Sequence, residues 1–142
     1  MAIFIKMQKA WNSKNSSYGK YYTKTIPMGE VTSKDIAEIL EKHAICRASQ
    51  VQSVLEEVSK EMKWQLQQGK VVSLEGIGRF QLAAVSDGKD HPEDFDIAHD
   101  VTHVECRFLP EGHRNQLDGT ITRTLSQGVE VKWAPHRHRD EE

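Results

Sequence analysis

A change from helix to strand lies in the stretch Gly69-Lys70-Val71-Val72-Ser73-Leu74-Glu75-Gly76-Ile77-Gly78-Arg79-Phe80-Gln81-Leu82. Gly69 suits the left-handed conformation in which helices commonly end, because it has no Cβ. Residues that favour strands follow, and Gly76 and Gly78 allow a tight turn before Phe80 and Leu82 resume an alternating pattern. Gly-x-Gly with no third glycine and no following helix does not make a dinucleotide-binding loop. The stretch therefore predicts the end of a helix followed by a β-hairpin.

Two amphipathic helices are predicted before this stretch. The first begins near Thr32, where a hydroxyl is followed three residues later by the carboxylate of Asp35, a pattern typical of a helix N-terminus. A second capping pattern, Ser49 followed by Gln52, begins a longer helix that runs to Gln68. That helix carries an apolar stripe at steps of three and four, formed by Val51, Val54, Leu55, Val58, Met62 and Leu66. The stripe is too long for one small domain to cover, so we expect a second copy of the chain to bury part of it.

Strands are predicted on both sides of the helices. Residues 3–5 and 20–26, with a polar and turn-rich segment between them, predict an N-terminal hairpin. Beyond residue 85 a polar excursion of loop composition precedes a returning strand, in which Val104, Cys106 and Phe108 alternate. Leucine and isoleucine side chains spaced by four over residues 117–125 predict a short final helix. Residues 129–133 alternate as a possible last strand, and we expect residues 136–142 to be disordered.

The composition is ordinary for a protein of 142 residues with one domain, or one domain with appendages. No apolar run approaches the ~18 residues of a membrane span, and residues 1–6 are too few and too soon charged for a secretory signal. We therefore expect a cytoplasmic protein without a membrane partner. In that compartment we expect Cys46 and Cys106 to pack as small apolar side chains and not to form a disulfide.

Charge is distributed unevenly along the chain, although the formal net charge is only −2. Residues 1–24 contain five lysines and no acidic residue, whereas residues 85–118 contain nine acidic residues against three basic ones. A polyanion would be attracted to the first segment and repelled by the second.

The sequence contains no arrangement typical of an enzyme or a metal site. No nucleophile, base and acid signature is present, so we expect neither enzymatic activity nor a cofactor. His136 and His138 alternate and would need His103 or His113 to complete a metal site. No set of four ligands has a recognisable spacing, so no metal is expected.

The order of the elements resembles the HU/IHF family of histone-like DNA-binding proteins. The resemblance rests on two capped helices, the pattern Leu74-x-Gly76-x-Gly78-x-Phe80, a polar arm and a returning strand that ends in Phe108. It is closest to the HU-related proteins of Bacteroides-type bacteria, which also start Met-Ala-Ile-Phe and have elements like residues 20–22 and 92–95. The resemblance implies an α+β fold with two N-terminal helices, a three-stranded antiparallel sheet with an extended β-arm, a short C-terminal helix and an added N-terminal β-hairpin.

Three segments follow from this comparison and from the sequence pattern. Residues 1–30 are a basic N-terminal hairpin extension, residues 31–126 are an HU-like dimerising domain with its arm at 84–103, and residues 127–142 are a C-terminal tail. The resemblance implies a homodimer that binds double-stranded DNA in the nucleoid, bends it and shows little sequence specificity. The implied dimer interface consists of Val51, Val54, Leu55, Val58, Met62, Leu66, Phe80 and Phe108. The candidate DNA contacts are Lys14, Lys20, Lys24, Lys70, Arg79, Lys89, Pro92, Arg107, His113 and Arg114.

Departures from the family pattern leave a second function open. The arm tip is Asp90-His91-Pro92-Glu93-Asp94, where the family usually has basic residues. Carboxylates are repelled by the phosphates that line a groove, so we expect Pro92 to be a turn residue and not a wedge between base pairs. The family pattern after the arm is also altered, to Phe108-Leu109-Pro110-Glu111-Gly112-His113-Arg114. The alternative to an architectural DNA-binding dimer is a dimeric scaffold of the same fold that binds a protein through its acidic arms and has lost strong DNA binding.

Overall fold

The computed structural model describes residues 1–11, 14, 16 and 18–135. The chain divides into two compact units, one formed by Met1–Thr32 with the segment from Gly128 onward, the other by Ser33–Gln127. The helices are α1 (Ser33–Lys42), α2 (Ala48–Gln67) and α3 (Ile97–Asp100). The strands are β1 (Ala2–Lys9), β2 (Tyr21–Ile26), β3 (Val72–Leu74), β4 (Gly78–Ser86), β5 (Val101–Pro110), β6 (Gly112–Arg114), β7 (Ile121–Arg123) and β8 (Glu130–Trp133).

The N-terminal unit is a three-stranded sheet with the order β2-β1-β8. The predicted hairpin is present, because β1 pairs antiparallel with β2 from Phe4 opposite Ile26 to Lys9 opposite Tyr21. The possible last strand is also present as β8, which runs parallel to β1 with Ile5 opposite Trp133. Part of the segment assigned to a C-terminal tail therefore completes the N-terminal sheet. Residues 136–142, expected to be disordered, lie outside the described residues.

Capping hydrogen bonds are present at both ends of α2. At its start the backbone N–H of Arg47 donates to Oε1 of Gln50 at 3.1 Å, so the N-cap lies two residues before the predicted cap at Ser49. At its end Gly69 has a φ of 78°, as predicted. The N–H groups of Gly69 and Lys70 donate to the carbonyls of Leu66 and Gln65, which is the Schellman arrangement that satisfies the last carbonyls of a helix.

The second unit contains the predicted three-stranded antiparallel sheet, in the order β3-β4-β5. The two longer strands pair from Gly78 opposite Pro110 to Ser86 opposite Val101, with an irregularity after Val85. Gly78 lies where β4 leaves the turn, and a Cβ at this position would lie 2.3 Å from the carbonyl oxygen of Leu109. The glycine that the sequence assigned to a turn is therefore required by the close approach of β5 as well.

The arm expected at residues 84–103 is not an extended β-arm to its tip. Strand pairing ends at Ser86 and Val101. The residues between them form a 3₁₀ turn at Pro92–Asp94 and the single-turn helix α3. The tip is compact because the buried Asp100 bonds both the ammonium group of Lys89 and the backbone N–H of Asp96.

The predicted short C-terminal helix is wrong. Residues 112–114 and 121–123 form the antiparallel strands β6 and β7, followed by a 3₁₀ turn at Thr124–Ser126. The connecting loop is stabilised by side chains that bond nearby backbone N–H groups: Asn115 accepts from Leu117, and Asp118 accepts from Thr120. Such bonds compete with helix formation. Leu117 is 97% exposed, so burial of its side chain does not favour a helix here.

The apolar core of Ser33–Gln127 is small in a single chain. Within this fully described unit the buried apolar residues are Ala37, Val51 and Leu66. Larger apolar side chains on α1, α2 and β5 remain exposed, including Ile36, Ile39, Val54, Phe108 and Leu109. No helix of the described residues is long and apolar enough to cross a membrane.

Candidate dimer and nucleic-acid interfaces

An open apolar groove lies between α2 and the sheet of the second unit. Its volume is about 510 Å³. Four residues of α2 face four residues of β3, β4 and β5 across it, and polar residues Ser59, Lys63 and Gln67 complete its lining. We call this surface the apolar groove; its apolar lining consists of Leu55, Val58, Met62, Leu66, Leu74, Phe80, Leu82 and Cys106.

The predicted interface residues are only partly brought together by this groove. Leu55, Val58, Met62, Leu66 and Phe80 line it. The remaining three are not part of its lining: Val51 is already buried in the single chain, whereas Val54 is 61% exposed and Phe108 is 43% exposed.

Two of the predicted aromatic residues pack directly on one another. Phe80 on β4 lies opposite Phe108 on β5. Their rings stack with centroids 4.8 Å apart and planes inclined by 30°. Stacking of this kind adds roughly 0.5–1.5 kcal/mol to the burial of the two rings. The pair lies in the sheet that forms one wall of the apolar groove.

The turn beside this sheet depends on a residue that the sequence pattern did not single out. Oε2 of Glu111 accepts a hydrogen bond of 2.8 Å from the backbone N–H of Gly76. The backbone N–H of Glu111 donates to the carbonyl of Ile77. No local signal identifies Glu111, because its partners lie about 35 residues earlier in the chain.

The predicted DNA contacts of the N-terminal unit lie on or beside its hairpin. Lys24 is on β2 opposite Lys6, and Lys20 immediately precedes that strand. Lys14 lies in the connecting segment. Repulsion between directly opposed lysines is relieved when an anion binds, so this pair favours a polyanionic partner.

The remaining candidates are spread over the second unit. Lys70 follows α2 and its Nζ donates to Oε1 of Gln65 at 2.9 Å, while Arg79 is exposed on β4. Arg107 on β5 donates from Nε to Oε1 of Glu105 at 2.8 Å. This hydrogen bond is the main cause of the lowered pKa of Glu105. His113 and Arg114 are exposed on β6. The strand register places Arg79 and Arg107 on the same face of the sheet.

Lys89 and Pro92 belong to the arm tip, where Lys89 forms an ion pair and Pro92 is exposed. Nζ of Lys89 lies 3.1 Å from Oδ1 of Asp100, whose side chain is only 11% exposed. Oδ2 of Asp100 accepts from the backbone N–H of Asp96 at 2.8 Å, and this bond is the first cause of the lowered pKa of Asp100, followed by the bond from Lys89. Pro92 occupies the first position of the 3₁₀ turn Pro92–Asp94.

A second carboxylate at the tip is also engaged locally. Oδ1 of Asp96 accepts from the N–H of Ala98 at the start of α3, and its other oxygen bonds Nδ1 of His99. The bond with His99 is the main cause of the lowered pKa of Asp96. The exposed residues Asp90, Glu93 and Asp94 complete an acidic surface at the end of the hairpin.

No group of three or more potential metal ligands occurs in the part of the chain that the structure describes. His136 and His138, considered above as ligands, lie outside those residues.

The fold and these surfaces define an α+β domain with a two-helix, three-stranded framework and an added N-terminal sheet. The chain belongs to the HU-HIG family, described as an HU domain fused to a wHTH, Ig or glycine-rich motif, whose model matches residues 1–131. No curated protein and no solved structure matches the chain significantly. An HU-like domain indicates a nucleoid-associated DNA-binding role at the level of the family.

Proposed function

We propose that this protein is an architectural DNA-binding homodimer, without enzymatic activity, that binds duplex DNA in the bacterial nucleoid with little sequence specificity. The observation that carries the proposal is the match of the HU-HIG model over residues 1–131. Within the HU-like group, the sequence features given above favour the HU-related proteins of Bacteroides-type bacteria.

The apolar groove supports the homodimer. Its wall is open to solvent in one chain, where Leu55 and Val58 are each 39% exposed. A partner that covered it would bury further apolar area, at roughly 25 cal/mol per Å². A twofold dimer would place the same helix of a second copy against it, because a self-complementary patch is what such symmetry requires.

The distribution of charge supports binding to DNA through the N-terminal hairpin and not through the arm tip. Lys20 and Lys24 lie on a segment without acidic residues. At the tip, by contrast, Lys89 is the only lysine or arginine between residues 86 and 100, and Asp100 neutralises it. Each phosphate contact made by a lysine releases a counterion and contributes about −0.9 to the slope of log K against log salt.

The test is a salt series with a short labelled duplex, measured by fluorescence anisotropy. We expect the logarithm of the association constant to fall linearly with the logarithm of the salt concentration. The affinity should be similar for two duplexes of unrelated sequence. Replacing Lys20 and Lys24 with glutamine should make the slope less negative by about 2, or roughly 1 for each lost contact. A control pair on α1, Lys34→Gln with Lys42→Gln, should leave the slope unchanged. Absence of duplex binding at low salt would contradict the proposal.

The acidic tip favours one alternative, a dimeric scaffold that binds a protein through its arms. The supporting observation is the neutralisation of Lys89 by Asp100, which leaves the exposed carboxylates as the dominant charge. This alternative predicts a dimer with no measurable duplex binding at low salt, even after the exposed tip carboxylates are neutralised.

A further inference from the structure

The N-terminal sheet carries a cluster of one lysine and two aromatic rings that the duplex proposal does not use. Nζ of Lys9 lies 5.7 Å from the ring centroid of Trp11 and 5.8 Å from that of Tyr21. We call these three residues the aromatic face. Both rings remain accessible, with Trp11 75% and Tyr21 59% exposed.

Strand register defines which residues share this side of the sheet. Directly opposed residues of neighbouring strands point to the same face, and successive residues point to opposite faces. Lys9 is paired with Tyr21, and two residues along each strand Met7 is paired with Thr23. Tyr22 and Lys24 lie on the other face, paired with Gln8 and Lys6.

The chemistry of the aromatic face matches that of a single-stranded nucleic acid. Residues on this side of the three strands are aromatic, aliphatic, hydroxyl-bearing or basic, and none is acidic: Ile3, Ile5, Met7, Lys9, Tyr21, Thr23, Thr25, Val131 and Trp133. Unpaired bases stack on exposed aromatic rings whatever their sequence, while lysines attract the phosphates between them. Covering the face would desolvate Lys9, and the phosphates of a nucleic acid supply the anion that its ammonium group then needs.

We propose that the aromatic face binds single-stranded nucleic acid, with bases stacked on Trp11 and Tyr21 and phosphates attracted by Lys9. Duplex DNA cannot use this surface in the same way, because its bases are already stacked on one another. The site is therefore additional to the proposed duplex interface and does not depend on it.

The experiment measures binding of a labelled oligothymidine of about 15 nucleotides, a length within the range of known single-strand sites. The full chain is compared with Trp11→Ala and Tyr21→Ala. Each is expected to weaken binding at least about fivefold, since stacking on one ring contributes about that factor or more. Tyr21→Phe keeps the ring and should bind like the unmodified chain. Trp11 lies outside the strands, so its variant tests the site even if Tyr21→Ala perturbs the hairpin.

Two controls separate stacking from general attraction. Tyr22→Ala removes a ring of the same type, 49% exposed, from the opposite face. It should change the affinity less than about twofold, compared with at least about fivefold for Tyr21→Ala. An abasic oligonucleotide of the same length keeps the phosphates and should bind more weakly than the oligothymidine.

Several outcomes would overturn the proposal. Equal losses for Tyr21→Ala and Tyr22→Ala, or equal binding of the abasic strand, would show that the face attracts charge but stacks no bases. No binding of the oligothymidine at low salt would leave a protein contact as the role of the exposed rings. If the unmodified chain bound oligothymidine but no duplex, that result would count against the duplex proposal alone.

Discussion

Lys89 and Asp100 close the end of the β4–β5 hairpin, with Nζ and Oδ1 3.1 Å apart. The same carboxylate accepts the backbone N–H of Asp96 through its other oxygen. One buried acid thus joins the loop after β4 to the segment that begins α3. Lys89, the only lysine or arginine of the tip, pairs with a carboxylate of the tip itself. In this respect the hairpin differs from a basic arm, whose cations contact phosphates.

We expect Asp100→Asn to loosen the tip at neutral pH. The variant removes the charge that holds Lys89 and weakens the bond from Asp96, because carboxylates accept hydrogen bonds more strongly than amides. Limited proteolysis at pH 7 should cut residues 87–100 faster than in the unmodified chain. Asp90→Asn, at an exposed position of the same tip, is the matched control and should not change the cleavage rate.

Acid should have the same effect on the unmodified tip. The pKa of Asp100 is lowered by the N–H of Asp96 and by Lys89, so the folded tip favours the carboxylate. Its contribution to stability is complete above the ordinary aspartate pKa of about 3.9 and is lost as the pH falls through the lowered value. The amide resonance of Asp96, followed by NMR during titration, should move with a midpoint below about 3.9. A midpoint at or above that value would contradict this assignment.

A lysine in the apolar groove should prevent dimerisation. Val58→Lys would place an ammonium group where a second copy is proposed to pack, and an unpaired buried charge is costly. We expect the dimer dissociation constant to rise more than about 100-fold, equivalent to about 2.8 kcal/mol. Sedimentation velocity would measure this change. The control is Glu57→Lys, which introduces the same side chain one residue away, outside the groove lining. It removes only one exposed ion pair, with Lys60.

Two outcomes of this experiment would be decisive. A dimer that survives Val58→Lys would show that the copies meet elsewhere. A stable monomer of the unmodified protein would exclude the homodimer altogether.

Gly78→Ala should destabilise the second unit more than Gly76→Ala. Both glycines have positive φ, 150° and 79°, which costs an alanine about 1–2 kcal/mol. Only at Gly78 would the new Cβ also collide, at 2.3 Å from the Leu109 oxygen and 2.7 Å from Cε2 of Phe108. The collision adds about 1–3 kcal/mol, which corresponds to a Tm roughly 5–20 °C lower than that of the control. Calorimetry that found equal Tm values would show that β5 moves aside at little cost.

Removing negative charge from the arm tip should strengthen duplex binding. The triple variant Asp90→Asn, Glu93→Gln and Asp94→Asn changes exposed carboxylates and spares Asp96, which caps α3. Repulsion is screened beyond about 10 Å at 0.1 M salt, so the gain should be largest at low salt. Anisotropy titrations of one duplex would measure it.

The control for this gain changes net charge equally at another place. Glu38→Gln, Glu41→Gln and Glu56→Gln remove three exposed carboxylates from α1 and α2. A gain as large as that of the tip variant would attribute the effect to overall charge. Weaker or unchanged binding of the tip variant would reject electrostatic exclusion by the arm.

Short-range patterns were sufficient to predict the two N-terminal helices α1 and α2 and the central hairpin. Gly69 ends α2 because its missing Cβ permits the left-handed conformation, and this follows from residue type alone. The alternation around Phe80 and Phe108 likewise predicted two strands that pair. The same local approach failed at residues 117–125, where an apolar spacing of four suggested a helix. There, the side chains of Asn115 and Asp118 accept hydrogen bonds from nearby backbone N–H groups and stabilise a turn instead.

Contacts between distant residues required the folded chain, because no local pattern specifies them. The parallel pairing of Ile5 with Trp133 joins the two ends of the described chain, and Glu111 bonds Gly76 across 35 residues. The juxtaposition of Lys9 and Tyr21 depends on hairpin register, since shifting one strand by a single residue would move Tyr21 to the other face. The sequence therefore specifies elements and an uneven charge, while strand register and long-range hydrogen bonds determine which charged and aromatic groups meet.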